Sequence, residues 1–246
     1  MTLRELVTSL RDLLDVKGGQ GLDWTEEGSQ SRLRWSNDEL VRFINEAYRE
    51  TAKRTLTIMD VVEIEVNNTD YLYDLPSNLL SIRRAKLNLG RFTLMEVSWK
   101  DVDALDSTWE SRTGEPTDYM TDWIRGSLRL HPKPVTADTL TLNIYRYPTD
   151  LLTLDRWEQD TPELPEEYHY PLIYWAAHLA YLKDEPNTLD PDRAQYYDAK
   201  ITNEVGPPTD AYSVERKKRA KRQLSYGGIT KNVRHRNRNS YGTENA

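Results

Sequence analysis

The chain has 246 residues, enough to bury a real core in one or two domains, and it holds no cysteine and only four histidines. That excludes disulfides, thiolate chemistry and every Cys-based zinc site, and argues against any metal centre. The net charge of −7 conceals two opposed parts: residues 215–246 carry ten Lys or Arg and two acids, a balance of +8, which leaves 23 basic and 38 acidic residues, a balance of −15, on residues 1–214. Thr2 and Glu5 form a capping-box pattern, and Leu3, Leu6, Val7, Leu10, Leu13 and Leu14 give a helical stripe ending before Gly18-Gly19. Residues 17–34, rich in Gly, Ser and charge, read as a loop. Ser36 with Glu39 repeats the capping box, and Leu40, Phe43, Ile44, Ala47 and Tyr48 predict a second helix to about Arg54.

The period then changes from 3.6 to 2. Val62, Ile64 and Val66 alternate with Glu63 and Glu65, Asn67 to Asp70 is turn chemistry, and Tyr71 to Leu75 resumes the extended pattern, which predicts a hairpin. Ile82–Leu89 and Phe92–Val97 suggest a second pair across Gly90. Ser98 is a candidate cap for a short helix with Asp101 in its first turn, on which Val102, Leu105 and Trp109 would share a face. Three strands follow, over 118–124, 127–131 and 139–147; in the last, Leu140, Leu142, Ile144 and Tyr145 or Tyr147 point inward.

The stretch from Pro165 to Gly206 reads as an antiparallel helical hairpin. Tyr168, Leu172, Trp175, Leu179 and Leu182 recur at steps of four and three, with Ile173, Ala177, Ala180 and Tyr181 adding apolar surface around the rest, so this helix is expected to be central. Pro171 removes one backbone donor, so the helix begins near Tyr168 or is distorted in its first turns. Asp190 is a good N-cap, Pro191 suits the first helical position, Ala194, Tyr197, Ile201 and Val205 continue one face, and Gly206 followed by Pro207-Pro208 ends it. Helices, then a long β region, then helices make an α+β pattern. The expected organisation is a helical bundle from residues 1–56 and 155–212, an inserted antiparallel β region over 57–154, and a basic C-terminal arm over 213–246. Thr209–Leu224 is a further candidate helix, although RKKRAKRQ has almost no apolar face.

Catalytic chemistry finds no footing. Gly18, Gly19 and Gly21 lack the strand, helix and Lys-Ser/Thr of a phosphate cradle. His169 and His178, nine residues apart on one helix, point to opposite sides and cannot share a metal. Glu163, Glu166 and Glu167 are accounted for by the start of a helix, and serine occurs without a nucleophile elbow. No cofactor is called for, no run of about eighteen apolar residues spans a membrane, and MTLRELVTSL lacks the basic and apolar segments of a signal peptide. Seven Trp and fifteen Tyr against two Phe suit either extensive protein contact or ordinary core filling. The basic tail, with Tyr226, His235 and Tyr241 interleaved, admits three readings: an arm that folds onto an acidic or grooved protein surface, a nucleic-acid grip, or a solvated tail.

The segments YDLPSNLLSIRRAKL at 73–87, SWKDVDALDSTW at 98–109, TGEPTDY at 113–119, SLRLHPKP at 127–134, TLTLNIYRYP at 139–148, LPEEYHYPLIYWAAHLAY at 164–181 and DRAQYYDAKITNEVG at 192–206, in this order, resemble head-to-tail adaptor (connector) proteins of tailed bacteriophages. The likeness covers the middle of the chain and leaves out the 21–34 loop and the extension after Gly206. It implies a structural virion protein, not an enzyme: a ring, usually of twelve copies, between the portal protein and a tail or nozzle protein, with DNA passing through its lumen unrecognised. It also implies that the C-terminal arm reaches the portal, with Arg216, Lys217, Lys218, Arg219, Lys221 and Arg222 meeting acidic or carbonyl-rich clefts and Tyr212, Leu224 and Tyr226 as apolar anchors. The rivals are a nucleic-acid-binding module acting through its tail, and a channel stopper or tail-terminator of the same assembly using the 17–34 stretch.

Overall fold

The structure, a computed structural model, describes residues 1–14, 34–90, 92–183 and 188–208. It is mixed α and β, and its described residues separate into two compact units. One holds Met1–Ile64, Pro76–Ala85 and Leu140–Pro208; the other holds Glu65–Leu75 and Lys86–Thr139. The helices are α1 (Leu3–Leu13), α2 (Asn37–Thr55), α3 (Trp99–Leu105), α4 (His169–Tyr181) and α5 (Pro191–Val205). The strands are β1 (Met59–Val66), β2 (Leu72–Asp74), β3 (Leu79–Leu87), β4 (Thr93–Glu96), β5 (Thr113–Gly114), β6 (Asp118–Met120), β7 (Ser127–His131), β8 (Lys133–Pro134) and β9 (Asp138–Arg146).

In the first unit the caps written in the sequence are made. Thr2 Oγ1 accepts the Glu5 N–H at 3.3 Å while the Glu5 carboxylate accepts the Thr2 N–H at 2.9 Å. Ser36 and Glu39 do the same at 3.2 and 3.0 Å. Each box satisfies donors that the first turn of a helix would otherwise leave bare. Asp190 accepts the Arg193 N–H at 3.1 Å, Pro191 opens α5, and Gly206, at φ +87°, lets the chain leave it. α4 starts at His169, after a 3-10 turn over Glu166–Tyr168, so Pro171 falls in its first turn, where no helical bond is lost. α1, α2, α4 and α5 share one core that includes Leu6, Leu10, Trp35, Ile44, Tyr48, Leu172, Ile173 and Ala177. α4 packs against all three of the others, as its composition requires. The strands of this unit run in the order β1-β9-β3, and Leu140, Leu142 and Ile144 of β9 are buried.

In the second unit the strands run β4-β6-β7-β2, with a separate two-stranded pair β5-β8. Its small core is Val97, Val102, Trp109 and Met120, with Trp99 and Trp123 against it. β2 and β6 each pair antiparallel with β7, whereas β4–β6 and β5–β8 are parallel.

Several expectations need correction. The expected antiparallel β region is rich in antiparallel pairs but also holds parallel ones, because β5 and β8, too short to carry any periodic signal, align parallel, as do β4 and β6. The expected hairpin over 62–75 does not form. Asn67 Oδ1 accepts the N–H groups of Thr69 and Asp70 at 3.0 and 2.7 Å, so the turn exists, but β1 pairs with β9 and β2 with β7. A turn sets chain direction locally; the strand partner is chosen by side-chain burial further off. On α4 the buried stripe is His169, Leu172, Ile173, Ala176, Ala177, Ala180 and Tyr181, while Leu182 is 47% exposed. The small residues face the neighbouring helices and allow close approach, and Trp175 and Leu179 flank that contact. Ser98 makes no side-chain cap on α3; its hydroxyl donates to Asp122 Oδ2 at 2.6 Å. α3 also stops before Trp109, which is buried from a separate 3-10 turn while Leu105 is exposed.

Candidate docking surface

Four cationic side chains, Arg54, Lys200, Arg129 and Arg11, pack against aromatic rings or hold backbone carbonyls. The first lies where the described chain ends. Arg54, in the last turn of α2, has a side chain only 1% exposed. Its Nη1 donates to the Gly206 carbonyl at 3.1 Å, its Nε donates to Glu50 at 2.9 Å, and its guanidinium lies 4.4 Å from the Trp175 ring centre. A buried guanidinium thus holds the carbonyl of Gly206, the residue that caps the end of α5. Beside it is a cavity of about 220 Å³ lined by Glu46, Arg49, Glu50, Lys53, Tyr147 and Trp175.

Along α4 and α5 a row of tyrosines runs from the core to the surface, with Tyr181 and Tyr197 buried and Tyr174 half-buried. Tyr197 stacks on Tyr174 and Tyr181 at 6.1 and 6.0 Å, and burial raises its phenol pKa. Lys200 Nζ sits 4.7 Å from the Tyr174 ring and 5.1 Å from that of Tyr196. Tyr170 and Tyr196 remain more than half exposed. Rigid aromatic surface with a cation over it is the chemistry of a protein contact.

In the second unit Arg129 is buried, with its guanidinium 4.3, 4.5 and 5.0 Å from the rings of Trp109, Tyr71 and Trp123. Burial holds its pKa below the ordinary arginine value. Trp109 meets Trp123 edge-on at 5.4 Å and His131 at 5.7 Å, so these aromatics fill a core around a cation and are not a free platform. The most exposed apolar side chains described here lie in the turn after β3. Leu89 and Phe92 are 74% and 78% exposed, and the Leu89 N–H is held by Asp138 Oδ2 at 3.0 Å.

The fourth cation, Arg11 of α1, is buried and donates to the Trp35 carbonyl and to Asn37 Oδ1 at 3.1 and 2.6 Å. Burial lowers its pKa to about 10. Sequence reading missed Arg11, Arg54 and Arg129, since a lone cation in a helix or strand gives no sign of burial. The flanking aromatics were the only available hint.

The arm residues expected from the sequence, Tyr212, Arg216, Lys217, Lys218, Arg219, Lys221, Arg222, Leu224 and Tyr226, lie outside the described residues, as does most of the 17–34 loop. The histidines take up structural duties. His169 Nδ1 bonds the Met1 amine at 3.0 Å and its Nε2 the Leu164 carbonyl at 3.1 Å, while His178 Nδ1 bonds the Ala194 carbonyl at 2.9 Å. Glu163 binds Arg146 at 2.7 Å and accepts the Thr149 N–H at 3.0 Å. Among the described residues no group of three His, Cys, Asp or Glu is placed to hold a metal ion, and no helix is long and apolar enough to cross a membrane.

Residues 1–221 match the family described as SU10 adaptor protein. The chain belongs to that family of phage head-to-tail adaptors. The match takes in the 21–34 loop and the first part of the basic segment, which the resemblance seen in the sequence had left out. No curated protein shows a significant sequence match to the chain.

Proposed function

We propose that this adaptor is a structural virion protein that forms a ring between the portal and the tail, extends the DNA channel and offers the tail a docking surface. The family match over residues 1–221 carries the reading. The fold is in keeping with it: α1, α2, α4 and α5 share one core, and strands occupy the chain between α2 and α4. We take the protein to act by assembly and not as an enzyme, as its adaptor family suggests. It would sit in the virion neck, in twelve copies, with DNA crossing the lumen without specific contacts; the acidic balance of residues 1–214 suits a wall that repels the passing phosphates.

The arm, residues 213–246, is the portal-binding element in this reading, with Arg216, Lys217, Lys218, Arg219, Lys221 and Arg222 on acidic or carbonyl-rich clefts and Tyr212, Leu224 and Tyr226 as anchors. Arg54, by clamping Gly206, sets the point from which the arm departs. The test is electron microscopy of the cognate portal mixed with the full chain and with a chain lacking residues 213–246. The full chain decorates portal rings; the truncated one melts at the same temperature and does not. Decoration by the truncated chain would remove the arm from the mechanism. A nucleic-acid grip by the tail would instead show as DNA binding that falls steeply with salt and disappears on truncation.

A further inference from the structure

β1 lies at the end of the strand order, with β9 as its neighbour, so among the described residues one of its edges is open. The direction of that edge follows from two hydrogen bonds. The Arg146 N–H of β9 donates to the Ile58 carbonyl at 3.1 Å, so even-numbered backbone groups along β1 face β9. The Val61 N–H, facing away, is taken up at 2.8 Å by the Asp60 carboxylate, which is itself held by Arg146 at 2.9 Å. By the alternation of the ladder, the backbone groups of Glu63 and Glu65 face the same outward way as those of Val61. Val61, Glu63 and Glu65 also share the exposed side-chain face, while Val62, Ile64 and Val66 turn toward the protein.

An unguarded edge is a template for another strand, and side-chain charge selects which one. Pairing of β1 with β1 of a second copy would bring Glu63 and Glu65 against like charges, which is destabilising. The complementary strand must bring cations at alternate positions, and this chain contains one. In Ile229-Thr230-Lys231-Asn232-Val233-Arg234-His235-Arg236-Asn237-Arg238, an extended backbone would put Arg234, Arg236 and Arg238 on one face and Ile229, Lys231, Val233, His235 and Asn237 on the other. The face with three arginines would meet Glu63 and Glu65. Twenty residues separate Pro208 from Ile229, a reach of up to about 65 Å when extended, which is sufficient to arrive at another molecule.

We propose that residues 229–238 of one copy add as a strand to the open edge of β1 in a second copy, a tie between subunits distinct from the portal contacts of residues 212–226. The inference rests on the adaptor reading only in taking the second copy to be a ring neighbour. Because the natural chain has no cysteine, the pairing is testable with single thiols in the full-length protein. A Glu63→Cys chain mixed with an Arg236→Cys chain, then oxidised, should give a mixed disulfide dimer at least about tenfold above a Glu63→Cys plus Ser213→Cys control. Reversal of the two flanking arm charges (Arg234→Glu and Arg238→Glu) in the Arg236→Cys partner of the Glu63→Cys chain should cut the yield about tenfold. Adding Glu65→Lys to the Glu63→Cys partner should restore much of it. Yields equal to the control, or a disulfide formed only within a chain carrying both Glu63→Cys and Arg236→Cys, overturn the proposal. Portal decoration by the Arg234/Arg236/Arg238→Glu chain, whose residues 212–226 are intact, is scored separately, so failure of this tie and failure of the adaptor reading are told apart.

Discussion

Replacing Arg54 by alanine tests whether the buried guanidinium organises the end of the helical unit. The bond to the Gly206 carbonyl has a charged donor and is worth about 1.5–3 kcal/mol, and the contact with Trp175 adds about 0.5–2 kcal/mol. Glu50 is 22% exposed and keeps Lys53 at 3.4 Å after the substitution, so the lost ion pair adds under about 1 kcal/mol. One existing cost would vanish: Arg54 Nη2 is buried with no partner among the described residues, which offsets the loss by about 1 kcal/mol. A net destabilisation of about 3 kcal/mol follows, which for a protein of this size lowers the melting temperature by about 6–12 °C. Differential scanning calorimetry on wild type and Arg54→Ala reads this directly. Arg54→Lys should recover less than half, because a single ammonium cannot serve Glu50 and the Gly206 carbonyl from the guanidinium's position over Trp175. A drop of under about 3 °C for Arg54→Ala would refute the reasoning and reduce Arg54 to an ordinary surface-pair residue.

Three further expectations are independent of that one. Ser36→Ala removes the acceptor for the Glu39 N–H and should cost about 1 kcal/mol in urea unfolding; an unchanged midpoint would mean that Glu39 and Lys183, 2.6 Å apart, hold the start of α2 without the hydroxyl. Arg129→Ala empties the space between Trp109, Tyr71 and Trp123 and should cost about 2–4 kcal/mol, with a changed tryptophan emission; wild-type emission and stability would show that the rings close up unaided. His169 is held below the ordinary histidine pKa of 6.5 by burial, the largest influence on it. The unfolded chain therefore takes up that proton first as pH falls, so the contribution of neutral His169 is intact above about pH 6.5 and is lost below it, at no more than about 1.4 kcal/mol per pH unit. His169→Gln should flatten the urea-midpoint profile between pH 7 and 5, and an unchanged slope would place the titration elsewhere.

What could be read from the chain and what could not divides along the range of the interactions. Both capping boxes, the Asp190-Pro191 start and Gly206 end of α5, and the turn at Asn67 are made within a few residues, so the order of amino acids determines them whatever lies beyond. The alternation that buries Leu140, Leu142 and Ile144 is legible for the same reason: one face of β9 was already apolar. The partner of each strand was not legible. β1 and β2 flank a well-formed turn yet pair elsewhere, because the choice among exposed and buried faces is settled by segments dozens of residues distant. The buried arginines belong to the same class. Arg11, Arg54 and Arg129 look like surface cations in the sequence, and only the packing of Trp35, Trp175 and Trp109 around them makes their burial tolerable. The sequence alone determined the capped starts of α1, α2 and α5, the end of α5 and the opposed charges of body and tail, since these follow from neighbours and counting. Tertiary structure decided the strand order, the open edge of β1 and the cationic cores, since these depend on which surfaces lose water together.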